Sequence, residues 1–546
     1  MFLPNRDSYE ALCRDFSWNV PERFNIGRAV SDDWSAHSPN SICLEHFSPD
    51  GNHQTLTYGQ LTARSNAFAN ALTALGVVAG DRVALLLPQC FETVIAHVAI
   101  YKMGAIAVPL ALLFGAEALE YRLSASGATV LVTNAFGLTR MSEISKPVSS
   151  LKDIISIDGP RAGVRAFHEL TDNQSADFAV AETAPDDPAL MIFTSGTTGS
   201  PKGALHGHRV LAGHIPGFQF AHEFLPQPGD KMWTPSDWAW AGGLLNALLP
   251  ALMLGVPVVS SPAQKFDPHM AFRIMAEMKV RNAFIPPTAL RLMKAVERPR
   301  EQYDLVLRSI GCAGEALGRE TYEWVTSALG IIPNEFYGQT ECNFVLSSAA
   351  CLGITKAGKI GRAVPGHRVE IVDGEGNILP VGSIGQVAIE RPDPVMFLGY
   401  WENEAATREK FAGDWLKTGD LGRQDRDGYI EFFGRDDDVI TSAGYRIGPA
   451  EIEDCLLGHP AVRLAAVVGK PDALRTEIVK AFVVLSDGYQ ASDMLAREIS
   501  DWVKHRLSMH EYPREVAFID ALPMTTSGKV IRRELRQQSK EATAAE

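Results

Sequence analysis

Short apolar runs that alternate with stretches of helical periodicity constrain this chain most. Residues 83–87 (Val-Ala-Leu-Leu-Leu), 129–133 (Thr-Val-Leu-Val-Thr) and 189–193 (Ala-Leu-Met-Ile-Phe) are apolar through their centres and too short for helices. Each reads as a strand buried on both faces. Between them, residues 57–75 put Leu61, Phe68, Leu72 and Leu75 on one helical face, and residues 92–103 read as a second helix. Such alternation predicts layered α/β architecture with largely parallel sheets. A chain of 546 residues exceeds one hydrophobic core, so two or more domains are expected.

Residues 241–262 carry no charge and are long enough to span a bilayer. Asn246, Pro250, Gly255 and Pro257 interrupt them, so they divide better into a core helix over 244–254, kinked at the proline, and a strand over 256–259. No transmembrane segment is therefore expected. The formal net charge of −14 disfavours a nucleic-acid partner and leaves any anionic ligand to be held by local positive groups. Seven scattered cysteines show no zinc-type spacing, and their odd number argues against a disulfide framework. With acidic and polar residues early in the chain, a cytoplasmic location is expected.

The pattern changes near residue 434. Residues 413–434 are dense in Gly and Asp, which suggests β turns between short aromatic strands, and 435–438 (Arg-Asp-Asp-Asp) read as a charged, solvated stretch. Beyond it, a helix at 451–457, strands at 462–468 and 479–485, a helix at 492–507 and a strand at 516–519 suit a small α+β domain. The polar tail after Arg536 is expected to fray.

The 189–193 strand runs into Thr194-Ser195-Gly196-Thr197-Thr198-Gly199-Ser200-Pro201-Lys202-Gly203. Glycines let backbone N–H groups approach an anion, hydroxyls donate to phosphate oxygens, and Lys202 adds positive charge. The composition is that of a phosphate cradle. The kinase and GTPase P-loop needs a second glycine beside its lysine; here Pro201 occupies that place. Four further segments follow in order: Tyr337-Gly338-Gln339-Thr340-Glu341, Trp415-Leu416-Lys417-Thr418-Gly419-Asp420, Gly434-Arg435-Asp436-Asp437-Asp438 with Gly444-Tyr445-Arg446-Ile447, and Pro523-Met524-Thr525-Thr526-Ser527-Gly528-Lys529.

Together these segments resemble the adenylate-forming superfamily of acyl-CoA synthetases, luciferases and peptide-synthetase adenylation domains, and within it the medium-chain acyl-CoA synthetases. The resemblance implies a large N-terminal α/β domain of layered sheets (1–434), a hinge (435–438) centred on Asp437, and a small mobile C-terminal α+β domain (439–546). It also implies the chemistry. ATP converts a carboxylic acid to an acyl-adenylate with loss of pyrophosphate, and the thiol of CoA then displaces AMP. Negative charge builds on the phosphoryl oxygens, so cations must meet them.

By the same resemblance, Thr194, Ser195, Gly196, Thr197, Thr198 and Lys202 would hold the β and γ phosphates. Glu341 would bind Mg²⁺, which keeps several waters and few protein carboxylates, and Thr340 would bond the α-phosphate. Asp420 and Arg435 would hold the ribose. Gly314, Glu315 and Ala316 would line the adenine with Tyr337, Gly338 and Gln339. Arg446 would contact phosphate in the adenylating state. Lys529 would bridge the acid and the nucleotide as a point charge with three donors. Rotation at the hinge would withdraw Lys529 and present Ala443 and Gly444 to the CoA arm.

The acid is less constrained. Relatives specialised for acetate carry tryptophan where this chain has Gly338, so a larger acyl pocket is expected, with Trp240 at its gate. Asp237 is assigned a structural role. A medium-chain, branched, cyclic or aryl monocarboxylate is the expected substrate. The alternative is a stand-alone adenylating enzyme that hands an amino or aryl acid to a carrier protein; a need for CoA separates the two. The resemblance also admits a homodimer, and an acetyltransferase and deacetylase acting on Lys529, since acetylation removes the charge adenylation needs.

Overall fold

The computed structural model describes residues 2–545 apart from 195–199, 262–265, 443–444, 473–474, 508–511 and 526–528, with backbone alone at 445–446 and 540–545. Two sheets dominate the first 400 residues. In one, the strands Pro188–Thr194, Ile106–Pro109, Arg82–Leu86, Val130–Thr133, Asp153–Ser156 and Arg165–Ala166 lie side by side and parallel. In the other, the strands Ile42–His46, Val258–Ser260, Met232–Trp233, Asn282–Phe284, Ser309–Cys312 and Asn334–Gln339 are likewise parallel, with antiparallel strands added at both ends. The expected runs at 83–87, 129–133 and 189–193 are thus central strands, buried on both faces.

Helices Tyr58–Ala74, Phe91–Lys102 and Arg209–Ala221 form a layer between the sheets. Their apolar side chains share one core with Val83, Leu85 and Ala107 of the first sheet and Leu44, Val258 and Phe336 of the second. Helix Tyr58–Ala74 starts where Thr57 and Gln60 cap each other reciprocally, at 3.2 and 3.0 Å, so two otherwise orphaned N–H groups are satisfied at its entry. Leu61, Phe68 and Leu72 are fully buried as the periodicity predicts. Lys102 is also fully buried. Its ammonium meets Asp32 at 2.8 Å, Asn66 at 2.7 Å and Ser65 at 3.0 Å, the pairing a buried charge requires.

The uncharged 241–262 stretch lies in this core. No helix among the described residues is long and apolar enough to cross a membrane. Its helix is not a simple kinked one. It begins as an α turn, Ala241–Gly243, widens into a π turn, Leu244–Leu248, and continues as α-helix over Leu249–Met253, with Pro250 in that last segment's first turn. Proline has no N–H for the carbonyl four residues back, and its ring fills that space, so the preceding turn widens to i→i−5 bonding.

The third sheet corrects one expectation. Residues 413–434 are not short strands among turns. Trp415–Gln424 is a ten-residue strand, paired antiparallel to Ile384–Glu390 and Ile430–Arg435. Its glycines sit where neighbours press close: a Cβ on Gly422 would lie 2.8 Å from Val387. That sheet ends at Arg435, and the next one begins at Ile440.

The last sheet pairs Val462–Asp472 with Thr476–Leu485, flanked by Ile440–Ser442 and by Glu515–Phe518. Helices Pro449–Leu457 and Asp493–Arg506 cover it with a separate apolar core. Two more expectations fail here. The tail is helical over Arg532–Ala545, with Leu535 and Ser539 buried, because Leu535 packs against Val468, Phe482 and Val484. Asp438, expected in solvent, is nine-tenths covered. Arg532 and Arg536 of that helix converge on it, and Arg532 also grips both oxygens of Glu453 at 2.7 Å.

Candidate functional site

A cavity of about 1180 Å³ opens where the second sheet, the third sheet and the C-terminal unit meet. The strand Asn334–Gln339 runs along it and returns as Cys342–Ser347, with Thr340 and Glu341 as the two residues of the turn. This hairpin is tight. A Cβ on Gly338 would fall 2.4 Å from Asn343 Cα and Phe344 N. Glycine at 338 is thus fixed by the return strand, and its missing side chain faces that strand. Gly338 also lines the cavity, with the Cα hydrogen that a Cβ would replace directed at that strand.

Along the strand, Tyr337 Oη donates to Asp420 Oδ2 at 2.6 Å, and Gln339 Nε2 donates to the same oxygen at 2.6 Å and to the Thr418 carbonyl at 2.8 Å. Burial, then the Asp420 charge, drives the Tyr337 phenol far above its ordinary pKa, so it stays a donor. Asp420 and Arg435 are direct cross-strand partners, and the guanidinium lies 3.6 Å from Asp420 Oδ1 and 3.2 Å from Asp437 Oδ1. The expected ribose pair, the aromatic face of Tyr337 and the hinge aspartate thus form one connected group on the cavity wall.

Glu341 is buried at the hairpin turn. Tyr400 Oη donates to its Oε1, and the Lys410 ammonium lies 3.9 Å from that oxygen. Oε2 has no protein donor among the described residues. The Lys202 ammonium sits 5.2 Å from the Tyr400 ring centre, so the tyrosine joins the cradle's lysine to the turn's carboxylate. Lys202 opens the strand Lys202–Gly207, in register with Thr194. Ser195, Gly196, Thr197 and Thr198 lie outside the described residues, as do Ala443 and Gly444. Arg446 is described by its backbone, paired with Thr441. No group of three His, Cys, Asp or Glu gathers around one point among the described residues. One open carboxylate oxygen fits Mg²⁺ that arrives on a triphosphate and keeps its waters.

Gly314, Glu315 and Ala316 also line the cavity. The Glu315 side chain points away from a ligand role. It accepts from Thr288 N at 2.8 Å and Arg291 at 3.0 Å, while Arg291 also holds the Ala316 carbonyl at 2.8 Å. Burial opposes its ionisation, but Arg291 and Thr288 outweigh that and keep its pKa below the ordinary value. The charge pins the loop so that its backbone faces the cavity.

Trp240, edge-on to Phe114 at 5.6 Å, lines the cavity with Phe284, Phe336, Gly242 and Ala313. Asp237 Oδ1 accepts from Ala239 N at 3.0 Å, which closes the turn before Trp240, and burial pushes its carboxyl up to about 6. Asn246, on the π turn, and Asn343 are a buried amide pair on the same wall.

Lys529 completes the set. It is exposed, on a loop closed by Thr525 N donating to the Lys529 carbonyl at 2.7 Å and Lys529 N donating to Thr525 Oγ1 at 3.0 Å. It lines the same cavity as Thr194, Lys202, Glu341, Asp420 and Arg435. A contact that the sequence did not announce helps hold its domain there. Asp454, on helix Pro449–Leu457, accepts from Arg319 N at 3.0 Å, at the start of helix Arg319–Leu329 in the large unit. The N-cap residue there is Gly318, at φ +77° and without a side chain to cap with; a Cβ on it would lie 2.1 Å from Asp454 Oδ1. The cap is supplied across the domain boundary. Tyr400, Lys410, Asn246, Asn343 and Asp454 carry no motif, and each meets its partner only through the fold.

The sequence model of the AMP-binding enzyme family matches residues 31–401, and that of the AMP-binding enzyme C-terminal domain matches 451–529. Among curated proteins, the human acyl-coenzyme A synthetase ACSM3, mitochondrial, is 32% identical over 98% of this chain and 93% of its own length. Among solved structures, the anthranilate CoA ligase AuaEII in complex with anthranoyl-AMP aligns with a TM-score of 0.89 at 28% identity, over 96% of this chain and 99% of that one. A Brucella canis acyl-CoA synthetase aligns with a TM-score of 0.76 at 33% identity, over 98% of this chain and 100% of that one.

Proposed function

This chain belongs to the AMP-binding enzyme family, and from that premise we propose how its residues divide the work of an AMP-forming acyl-CoA synthetase that uses ATP, Mg²⁺ and CoA. One observation carries the reading: cationic, acidic and aromatic groups of the large unit and Lys529 of the small one line a single cavity. Asp420 and Arg435 hold the ribose, Tyr337 faces the adenine, and the loop pinned by Glu315 lines it. Lys202 and the hydroxyls of its loop take the terminal phosphates. Glu341 is the protein ligand for Mg²⁺, which neutralises phosphate charge when bound.

Lys529 steadies the acid's carboxylate and the α-phosphate oxygens as charge accumulates there. It sits on a loop of the C-terminal domain, so the residues 435–438 serve as the hinge that withdraws it before CoA attacks. The acid is a monocarboxylate with a medium-chain, branched, cyclic or aryl body, which the aromatic wall around Trp240 supports. The cytoplasm is its proposed location, supported by seven cysteines that are all unpaired. Acetylation of Lys529 would switch off the first half-reaction by removing its charge.

The test is CoA-dependent AMP release, with ATP–pyrophosphate exchange alongside, across acids of graded chain length and ring content. Larger monocarboxylates should turn over and need CoA for AMP release. Turnover of acetate alone would overturn the acyl assignment, and acyl transfer to a carrier protein without CoA would overturn the ligase assignment.

A further inference from the structure

The acyl wall contains one polar feature that the activation chemistry does not use. Phe344 N donates to Asn343 Oδ1 at 2.9 Å, and Asn343 Nδ2 donates to Asn246 Oδ1 at 2.7 Å. The inner end fixes the direction of this chain. A backbone N–H can only donate, so Asn343 must turn its oxygen inward and its amino group toward Asn246. Asn246 then presents its own amino group at the outer end. Asn246 is only 3% exposed and lines the cavity. Its Nδ2 has no acceptor among the described residues.

The arrangement is built. Pro250 widens the helix into a π turn at Leu244–Leu248, which sets Asn246 on the wall, and π turns of this kind recur at functional sites. Phe344 holds a left-handed backbone at φ +63°, unusual for a bulky residue, in the segment where the chain of amides begins. Around the pair, Trp240, Phe284 and Phe336 give the cavity an apolar surface. A buried amide that ends in an unused donor costs stability unless something accepts from it.

We propose that Asn246 is a specificity residue: its amide N–H, oriented by Asn343, selects acids whose cyclic, aryl or medium-chain body carries an accepting oxygen, as hydroxyl, ether or ketone. This rests on the acyl-CoA synthetase reading above and refines its substrate class. One neutral hydrogen bond made in a water-poor pocket, lost when the partner oxygen is missing, corresponds to about a tenfold preference.

The experiment compares matched acids that differ by that oxygen: benzoate with its hydroxy and methoxy forms, cyclohexanecarboxylate with its oxo forms, hexanoate with 5-oxohexanoate. The full chain is assayed with ATP and CoA, and kcat/KM for each acid is read from AMP release. In at least one series the oxygenated acid should exceed its parent about tenfold. In Asn246→Leu that ratio should fall to about one, and the KM for ATP should shift alike with both acids. If Asn246→Leu does not fold, Asn246→Ala, which removes the donor with the smallest change of shape, should lower the same ratio. The proposal is overturned if no series favours the oxygenated acid, if the preference survives loss of the amide, or if the only change is in the KM for ATP. In each of those outcomes some acids still turn over and the ligase reading stands. Failure of every acid, with no pyrophosphate exchange, would overturn both.

Discussion

Replacing Asp454 tests whether a cross-domain helix cap sets how often the small domain closes. Its carboxylate caps helix Arg319–Leu329, whose own N-cap position, Gly318, has no side chain. Losing an N-cap acceptor costs about 0.5–2 kcal/mol. Part of that is offset here because the docked carboxylate loses water, which raises its pKa, and because Oδ1 finds no donor among the described residues. A net loss of about 1 kcal/mol lowers the ratio of closed to open domain about fivefold. The cap forms in the same arrangement that brings Lys529 to the cavity, so Asp454→Ala should slow ATP–pyrophosphate exchange about fivefold. Thioester formation from supplied acyl-AMP, for which the proposed hinge motion withdraws Lys529, should not fall. Asp454→Asn keeps an accepting oxygen without a charge to desolvate, so it should exchange as well as the parent protein or better. The sign of the pH effect follows from the raised pKa. Docking favours the protonated acid, so closure is strongest below the ordinary Asp range and weakens as pH rises through the docked value. Asp454→Asn should flatten that dependence. Equal losses in the alanine and asparagine variants, or equal losses in both half-reactions, would refute the reasoning.

Other expectations follow from single sites. Lys529→Ala should abolish pyrophosphate exchange yet largely spare thioester formation from acyl-AMP; equal loss of both steps would refute its assignment. Gly338→Ala places a methyl group 2.4 Å from two backbone atoms of the return strand, and should cost about 2 kcal/mol or more, seen as a lower thermal midpoint. Lys102→Ala strips a fully buried ammonium from Asp32, Ser65 and Asn66, and should cost about 3–5 kcal/mol; a loss below about 1 kcal/mol would show that the cluster holds little. Asp237→Asn keeps the bond to Ala239 N and removes an acid pushed up to about 6. The variant should gain about 3 kcal/mol at pH 8, a gain that shrinks through pH 6 and is nearly gone at pH 4, where the parent acid is largely protonated; thermal unfolding across pH reads this directly.

What could be read along the chain was whatever local physics dictates. Apolar runs of strand length, set between helical periods, announced a layered architecture with largely parallel sheets, and the 57–75 periodicity marked the face that Leu61, Phe68 and Leu72 bury. The motifs marked Lys202, Glu341, Asp420, Arg435 and Lys529 because each keeps its chemical neighbours beside it in sequence. The reading faltered where distant partners reversed local preference. A polar tail became a helix because Leu535 found Val468 and Phe482, and the last aspartate of an otherwise exposed acidic stretch joined a partly buried ion cluster because Arg532 and Arg536 returned to Asp438. Gly338 carries the same lesson: its type was visible, but only the return strand shows that backbone proximity fixes it. The sequence by itself determined the layered architecture and marked most of the residues proposed to hold the nucleotide, since periodicity and short motifs act over a few residues. Only the tertiary structure decided that Tyr400 links Lys202 to Glu341, that Asn343 aims Asn246, and that Asp454 caps a helix of the other domain. Those pairings join residues from 59 to 135 positions apart where hydrogen bonds make them, and no local preference encodes a contact over such a span.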